Sequence, residues 1–171
     1  KLPLDDESAV MHETIEDILS QHGYEHYETS AFAKPKSQCQ HNLNYWQFGD
    51  YLGIGAGAHS KLTFHDKMIR ESRYKNPKQY MEKVVTQHMV ESETIIHESD
   101  LAFEFMMNHL RLIDGFSIQS FEDKTGLNIS AIDKELKAAI DKKLITKDHE
   151  MIKPTLLGQR FLNDLLSIFL K

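Results

Sequence analysis

Apolar residues recur at helical spacing near the start of the chain, where Val10, Met11, Ile15, Ile18 and Leu19 follow the acidic run Asp5-Asp6-Glu7-Ser8. Carboxylates in a first turn suit the positive end of a helix, and Gly23 is a natural stop. The pattern predicts an amphipathic helix over 6–22. Tyr24-Glu25-His26-Tyr27-Glu28-Thr29-Ser30 alternates as a strand does, and Pro35 between Lys34 and Lys36 marks a loop. Residues 41–48 predict a short helix and residues 51–54 a buried strand. Residues 60–76 are polar and mixed, with a local basic cluster of Arg70, Arg73 and Lys75. Pro77 suits the first position of a helix over 77–89. A longer helix over 92–113 is predicted from Ile95, Ile96, Leu101, Phe105, Met106, Leu110 and Ile113, with Gly115 ending it.

The pattern changes from residue 116 onward. Residues 117–124 predict a short helix, Gly126 a turn, and residues 129–140 a second helix with Ile132, Leu136 and Ile140 on one face. Leu144-Ile145-Thr146 and Met151-Ile152-Lys153 flank Asp148-His149-Glu150 as the arms of a small hairpin. Pro154 and Thr155 then open a final helix carrying Leu156, Leu157, Phe161, Leu162, Leu165, Ile168 and Phe169. Helix, helix, hairpin, helix is the order of a winged-helix-type domain. Before it, the order helix, strand, loop, strand matches the end of an α/β layer. The boundary between the two is expected near 76–92, and neither a repeat nor a low-complexity tract interrupts them.

Composition narrows the partners. With 171 residues, 40% of them hydrophobic, the chain can bury a core in one domain or two small ones. Its net charge of −6 disfavours nucleic acid or an anionic membrane surface as principal partner. The second predicted helix of the tail carries Asp133, Lys134, Glu135, Lys137 and Asp141, too acidic to read a DNA groove. Apolar runs are short, so no membrane-spanning segment is expected, and the start lacks the apolar core of a signal peptide. One cysteine excludes an internal disulfide and a cysteine-rich zinc site. A cytoplasmic setting is the expectation. The start at Lys1 also suggests a piece of something longer.

Candidate chemistry gathers between residues 39 and 59. Cys39 precedes Gln40-His41-Asn42-Leu43-Asn44-Tyr45-Trp46, and Asp50-Tyr51-Leu52-Gly53-Ile54-Gly55-Ala56-Gly57-Ala58-His59 follows. Aromatics give rigid contact area and glycines let a backbone approach a ligand, so the mixture suits a binding floor. On a helix, His41 and Tyr45 share a face at i and i+4. A helix that packs Tyr45 and Trp46 inward, with His41 at its start, is the plainer alternative. Gly53, Gly55 and Ala58 fit the spacing of a dinucleotide fingerprint, but His59-Ser60-Lys61-Leu62-Thr63-Phe64 opens a helix poorly, so a tight turn passing close to a ligand is favoured. The remaining histidines lack zinc spacing and read as surface or packing residues. Neither a catalytic set nor a metal-ligand set stands out.

These segments resemble a known family. His26-Tyr27-Glu28-Thr29-Ser30-Ala31-Phe32-Ala33 is similar to its YEISNFA strand, His41-Asn42-Leu43-Asn44-Tyr45-Trp46 to its HNxxYW motif, and residues 50–59 to its DYLGIGAGAH segment. Phe103-Glu104-Phe105-Met106-Met107-Asn108, Gly115-Phe116 and Phe161-Leu162-Asn163-Asp164-Leu165-Leu166 look like its C-terminal domain. The family is that of oxygen-independent coproporphyrinogen III oxidase-like radical-SAM proteins, and the haem-chaperone branch is the nearer match. Thr29 and Ala31 depart from its usual Ile or Val and Asn.

The resemblance implies an α+β fold: terminal β/α units of a partial radical-SAM barrel over 1–76, then a mostly helical, winged-helix-like domain over 77–171. It implies haem contact for His41, Asn42, Tyr45 and Trp46, and S-adenosylmethionine or substrate contact for Gly53, Gly55 and Gly57. The parent's cofactors would be a [4Fe–4S] cluster and S-adenosylmethionine, and its partners haem and haem-acceptor proteins. The family's CxxxCxxC motif is absent here and Cys39 receives no role, so this part alone should be inactive as an enzyme. Chaperone activity is the first expectation for the parent. Radical decarboxylation by a true oxidase is the second, and a non-enzymatic winged-helix binding module the third.

Overall fold

The computed structural model describes residues 3–170, so the readings that fall on Lys1 and Leu2 lie outside it. The first helix, α1 (Asp5–Gln21), begins with the Glu7 carboxylate accepting the Leu4 N–H at 2.9 Å. It leads into the antiparallel pair β1 (Glu25–Glu28) and β2 (Ala31–Ala33), turned through Thr29-Ser30. A short α2 (Gln40–Trp46) follows, as its spacing predicts.

The next segment departs from expectation. Tyr51 forms an isolated bridge with Lys61 and no buried strand continues from it. Leu52 is 63% exposed and Ile54 82% exposed. Gly55 (φ 108°) and Gly57 (φ 72°) take left-handed backbone conformations that turn the chain instead of extending it. The polar stretch beyond it is a sheet: β3 (His59–Thr63), β4 (Met68–Arg73) and β5 (Val90–Ile95), antiparallel in that order. Between β4 and β5 runs α3 (Pro77–Val85), capped by the Asn76 side chain accepting the Gln79 N–H at 3.2 Å.

Strand β5 takes residues expected to begin a long helix. Val90, Thr94 and Ile95 are β-branched, and Thr94 and Ile95 pair with Arg70 and Ile69 of β4. Helix α4 therefore spans only Glu98–His109, with Glu98 and Asp100 in its first turn. The 76–77 division falls in the connection between two strands of one sheet.

Beyond α4 come β6 (Phe116–Ser117), α5 (Ile118–Thr125), a 3-10 turn (Ile129–Ile132), α6 (Asp133–Asp141), β7 (Ile145–Lys147) and β8 (Met151–Pro154). The expected helix over 129–140 is thus part 3-10, and Ile140 is 39% exposed instead of sharing the buried face of Ile132 and Leu136. The hairpin is as expected, and β8 lies central in the order β6-β8-β7. The final helix breaks at Phe161 into α7 (Leu156–Arg160) and α8 (Leu162–Ser167), with Thr155 capping the first. One apolar core runs through this half. Phe105, Met106, Phe121, Leu136, Ile152 and Leu165 form its centre, and Phe48 and Met68 join it from the preceding half.

Candidate functional site

Helix α2 presents the motif residues unevenly. His41 is exposed, whereas Asn42, Tyr45 and Trp46 are half-buried. The Tyr45 ring meets Trp46 edge-on at 4.8 Å between centroids and lies 5.0 Å from Tyr51. Trp46 is covered on one side by the Arg111 guanidinium, 4.2 Å from the ring centroid. The three aromatics form one cluster, and the imidazole stands at the other end of the helix, free toward solvent. Among the described residues no side-chain hydrogen bond, ion pair or ring contact joins His41 or Asn42 to the glycine segment. Tyr51 is the link between that segment and α2.

Charge organises the ground beneath. The Tyr51 phenol is pushed up to about 12, first by burial and then by the neighbouring Tyr45, so it stays neutral. Arg70 donates to its hydroxyl at 3.3 Å and pairs with Glu104 of α4. Lys61 is buried on β3 and donates to the Phe48 carbonyl at 3.1 Å and to Asp50 at 3.0 Å. Burial lowers the Lys61 pKa despite its carboxylate partner. Burial alone would raise that of Asp50, but hydrogen bonds from Thr63 and Lys61 bring it below the ordinary value. This pair ties the start of the glycine segment to the sheet.

Each glycine then has a backbone reason. A Cβ on Gly53 would lie 2.1 Å from the His59 carbonyl oxygen. Gly55 and Gly57 need positive φ, and their N–H groups donate to the Tyr80 hydroxyl at 3.2 Å and the Tyr74 carbonyl at 2.9 Å. Cys39, just before α2, is exposed. Among the described residues no group of three or more His, Cys, Asp or Glu is placed to hold a metal ion. A [4Fe–4S] cluster takes several thiolates and the chain has one cysteine, so the residues present do not fit that group.

Arg111, Glu28 and Lys61 carried no mark in the sequence pattern, and Arg70 only that of a local basic cluster, because each matters through a partner distant in the chain. A cleft of about 780 Å³ opens beside Arg111, between α1, the β1–β2 turn and α7–α8. His12, Glu16, His26, Arg111 and Phe161 line it, and an Arg160–Glu13 ion pair at 2.6 Å crosses it.

His109 is the most perturbed titrating group. It stacks on Phe105 at 3.7 Å, and burial pushes its pKa down to about 3. The folded state holds it neutral while the unfolded chain binds a proton below about pH 6.5, so stability falls as pH drops through that window. Between pH 7 and pH 5 this group alone should cost about 2 kcal/mol. Urea midpoints at the two pH values check this: His109→Leu should lose that much less than the wild type, and an equal loss would remove the assignment.

Comparison places this arrangement among known proteins. Residues 96–161 match the HemN C-terminal domain. The chain is 43% identical over 171 residues to the heme chaperone HemW of Haemophilus influenzae, covering 99% of this chain and 44% of that protein. It is 41% identical over 170 residues to the heme chaperone HemW of Escherichia coli, again covering 99% and 44%. It therefore spans less than half the length of these curated relatives. Its fold is similar to that of the Escherichia coli coproporphyrinogen III oxidase HemN, described as a radical SAM enzyme. That likeness has a TM-score of 0.70 at 18% identity, covering 98% of this chain and 42% of that one. The chain thus carries the HemN C-terminal domain over residues 96–161 and is similar, over nearly its whole length, to a part of the HemW proteins.

Proposed function

We propose that this chain is the haem-receiving part of a haem chaperone: it binds haem at α2 and passes it to an acceptor protein. The observation that carries this is the coincidence of relatives named heme chaperone with an exposed His41 on the same short helix as the Tyr45–Trp46 cluster. A neutral imidazole can ligate haem iron, and an indole and a phenol offer flat apolar area to a porphyrin face. Asn42 adds an amide on the same short helix. Gly53, Gly55 and Gly57 border this ground through Tyr51, and in the longer protein they would face S-adenosylmethionine or substrate. The [4Fe–4S] cluster belongs to other parts of that protein, and no step here is routed through it.

The same reading covers architecture. The segment order α4-β6-α5-α6-β7-β8 supports a winged-helix-like unit, and α1 with β1 and β2 supports the terminal units of a partial barrel. We place the division near residue 96, where the matched domain starts and the β3–β5 sheet is complete. No helix among the described residues is long and apolar enough to cross a membrane.

Haem titration followed in the Soret band tests the proposal. His41→Ala should weaken binding about tenfold or more and shift the band, as loss of an iron ligand does. Identical spectra and affinities for wild type and variant would remove His41 from the site.

A further inference from the structure

Four buried side-chain polar atoms lack a hydrogen-bond partner among the described residues: His26 Nε2, Glu28 Oε2, Trp46 Nε1 and Arg111 Nε. Three of the four side chains are in direct contact, since Arg111 lies over Trp46 and 3.6 Å from Glu28. The fourth, His26, sits two residues from Glu28 on β1. Buried polar atoms are normally paired, and a cluster of exceptions marks a place held for something other than stability.

Arg111 is the centre of this cluster. Its main chain is already clamped to β1. The Thr29 N–H and hydroxyl donate to the Arg111 carbonyl at 2.9 and 3.2 Å, and the Ile113 N–H donates to the Tyr27 carbonyl at 3.2 Å. The joint between the segment after α4 and the first hairpin therefore does not need the guanidinium. What the side chain adds is a contact of 3.3 Å to the Ser30 hydroxyl, a long ion pair with Glu28, and cover for the Trp46 ring. A guanidinium over an indole combines charge–quadrupole attraction with flat contact, which an ammonium does not reproduce.

We propose that Arg111 is the positioning residue of the α2 site: by stacking on Trp46 it fixes the indole as a wall for the ligand. The inference rests on the reading of α2 as a ligand site and adds a residue from outside the motif. Arg111 belongs to the stretch matched by the HemN C-terminal domain, so that domain contributes to a site whose motif lies wholly before it. Glu28 at the end of β1 and Ser30 in the β1–β2 turn steer the guanidinium from its other edge.

Trp46 is the only tryptophan, so tryptophan emission reports on this one ring and its surroundings. The test uses the whole chain with R111Q, R111K, W46F and the double variant R111Q/W46F. In R111Q and R111K, the emission maximum should move to the red and acrylamide quenching should rise about twofold as one side of the indole opens. Haem affinity should fall about fivefold to tenfold in both, and R111Q should cause no further loss in the W46F background. Circular dichroism and melting of R111K, which keeps the charge, separate positioning from misfolding. The proposal is overturned if R111K restores emission and affinity, because charge beside Glu28 would then suffice. It is equally overturned if R111Q costs as much affinity with W46F as without it. If the wild type binds no haem, the reading of α2 fails, while Arg111 is still judged by emission and quenching.

Discussion

Phe105→Ala should cost about 4 kcal/mol of unfolding free energy, among the larger single losses this core can suffer. The ring is wholly buried on α4 and touches four others: Phe48 at 5.8 Å, His109 at 3.7 Å, Phe116 at 5.0 Å and Phe121 at 5.1 Å between centroids. Truncation removes the apolar burial and leaves a cavity that four surrounding rings on separate elements cannot close together. It also strips the stacking partner from His109, whose neutral state depends on dry surroundings. Urea denaturation at pH 7 measures the loss, and a value under about 2 kcal/mol would mean that the neighbours collapse into the space. Phe48 lies directly after α2 and its carbonyl accepts from Lys61, so the same variant should loosen the floor of the candidate site.

The helices were legible in the chain because their signals are local. Asn76 before Pro77, Ser117 before α5 and Thr155 before α7 are capping residues whose side chains accept the expected N–H groups. Gly126 is a left-handed helix end. The β3–β5 sheet was not legible, for a physical reason. MIRESR and VESETI place charges on strands that leave one face wet, so neither reads as a run of apolar alternation. β3 hides a fully buried Lys61 whose cost is offset by Asp50, Thr63 and a backbone carbonyl. Burial of that kind is visible only once the partners are assembled. Likewise Ile95 looked like a helix anchor and is a strand residue paired with Ile69, its side chain half in solvent.

The candidate site divides the same way. His41, Asn42, Tyr45 and Trp46 follow one another on a single short helix, so a motif could point to them. Arg111 could not be found so, because it reaches Trp46 from the turn after α4. The glycines were visible, but what each of them does was not. Spacing alone made Gly53, Gly55 and Gly57 equivalent, whereas their surroundings differ sharply.

That difference yields the second large effect: Gly53→Ala should destabilise the protein by about 3 kcal/mol, the upper range for forcing an extra carbon into packed space. The new Cβ would meet the His59 carbonyl oxygen at 2.1 Å and the His59 carbonyl carbon at 2.6 Å, all backbone atoms with no rotamer to change. Neither side can retreat easily. The Tyr51–Lys61 bridge holds the glycine segment to β3 with reciprocal N–H···O bonds of 3.0 Å, the Gly53 N–H donates to the Ser60 hydroxyl at 3.0 Å, and Arg73 donates to the Gly53 carbonyl. At Gly55 nothing lies within 4 Å of an added Cβ, so Gly55→Ala bears only the strain of positive φ, about 1 kcal/mol. Thermal and urea unfolding of the two variants should therefore separate them by about 2 kcal/mol. If instead both unfold alike and Gly53→Ala loses ligand affinity alone, Gly53 is a ligand-facing position. The expected order makes Gly53 first a condition for the loop's close return past His59, with any ligand contact resting on that geometry.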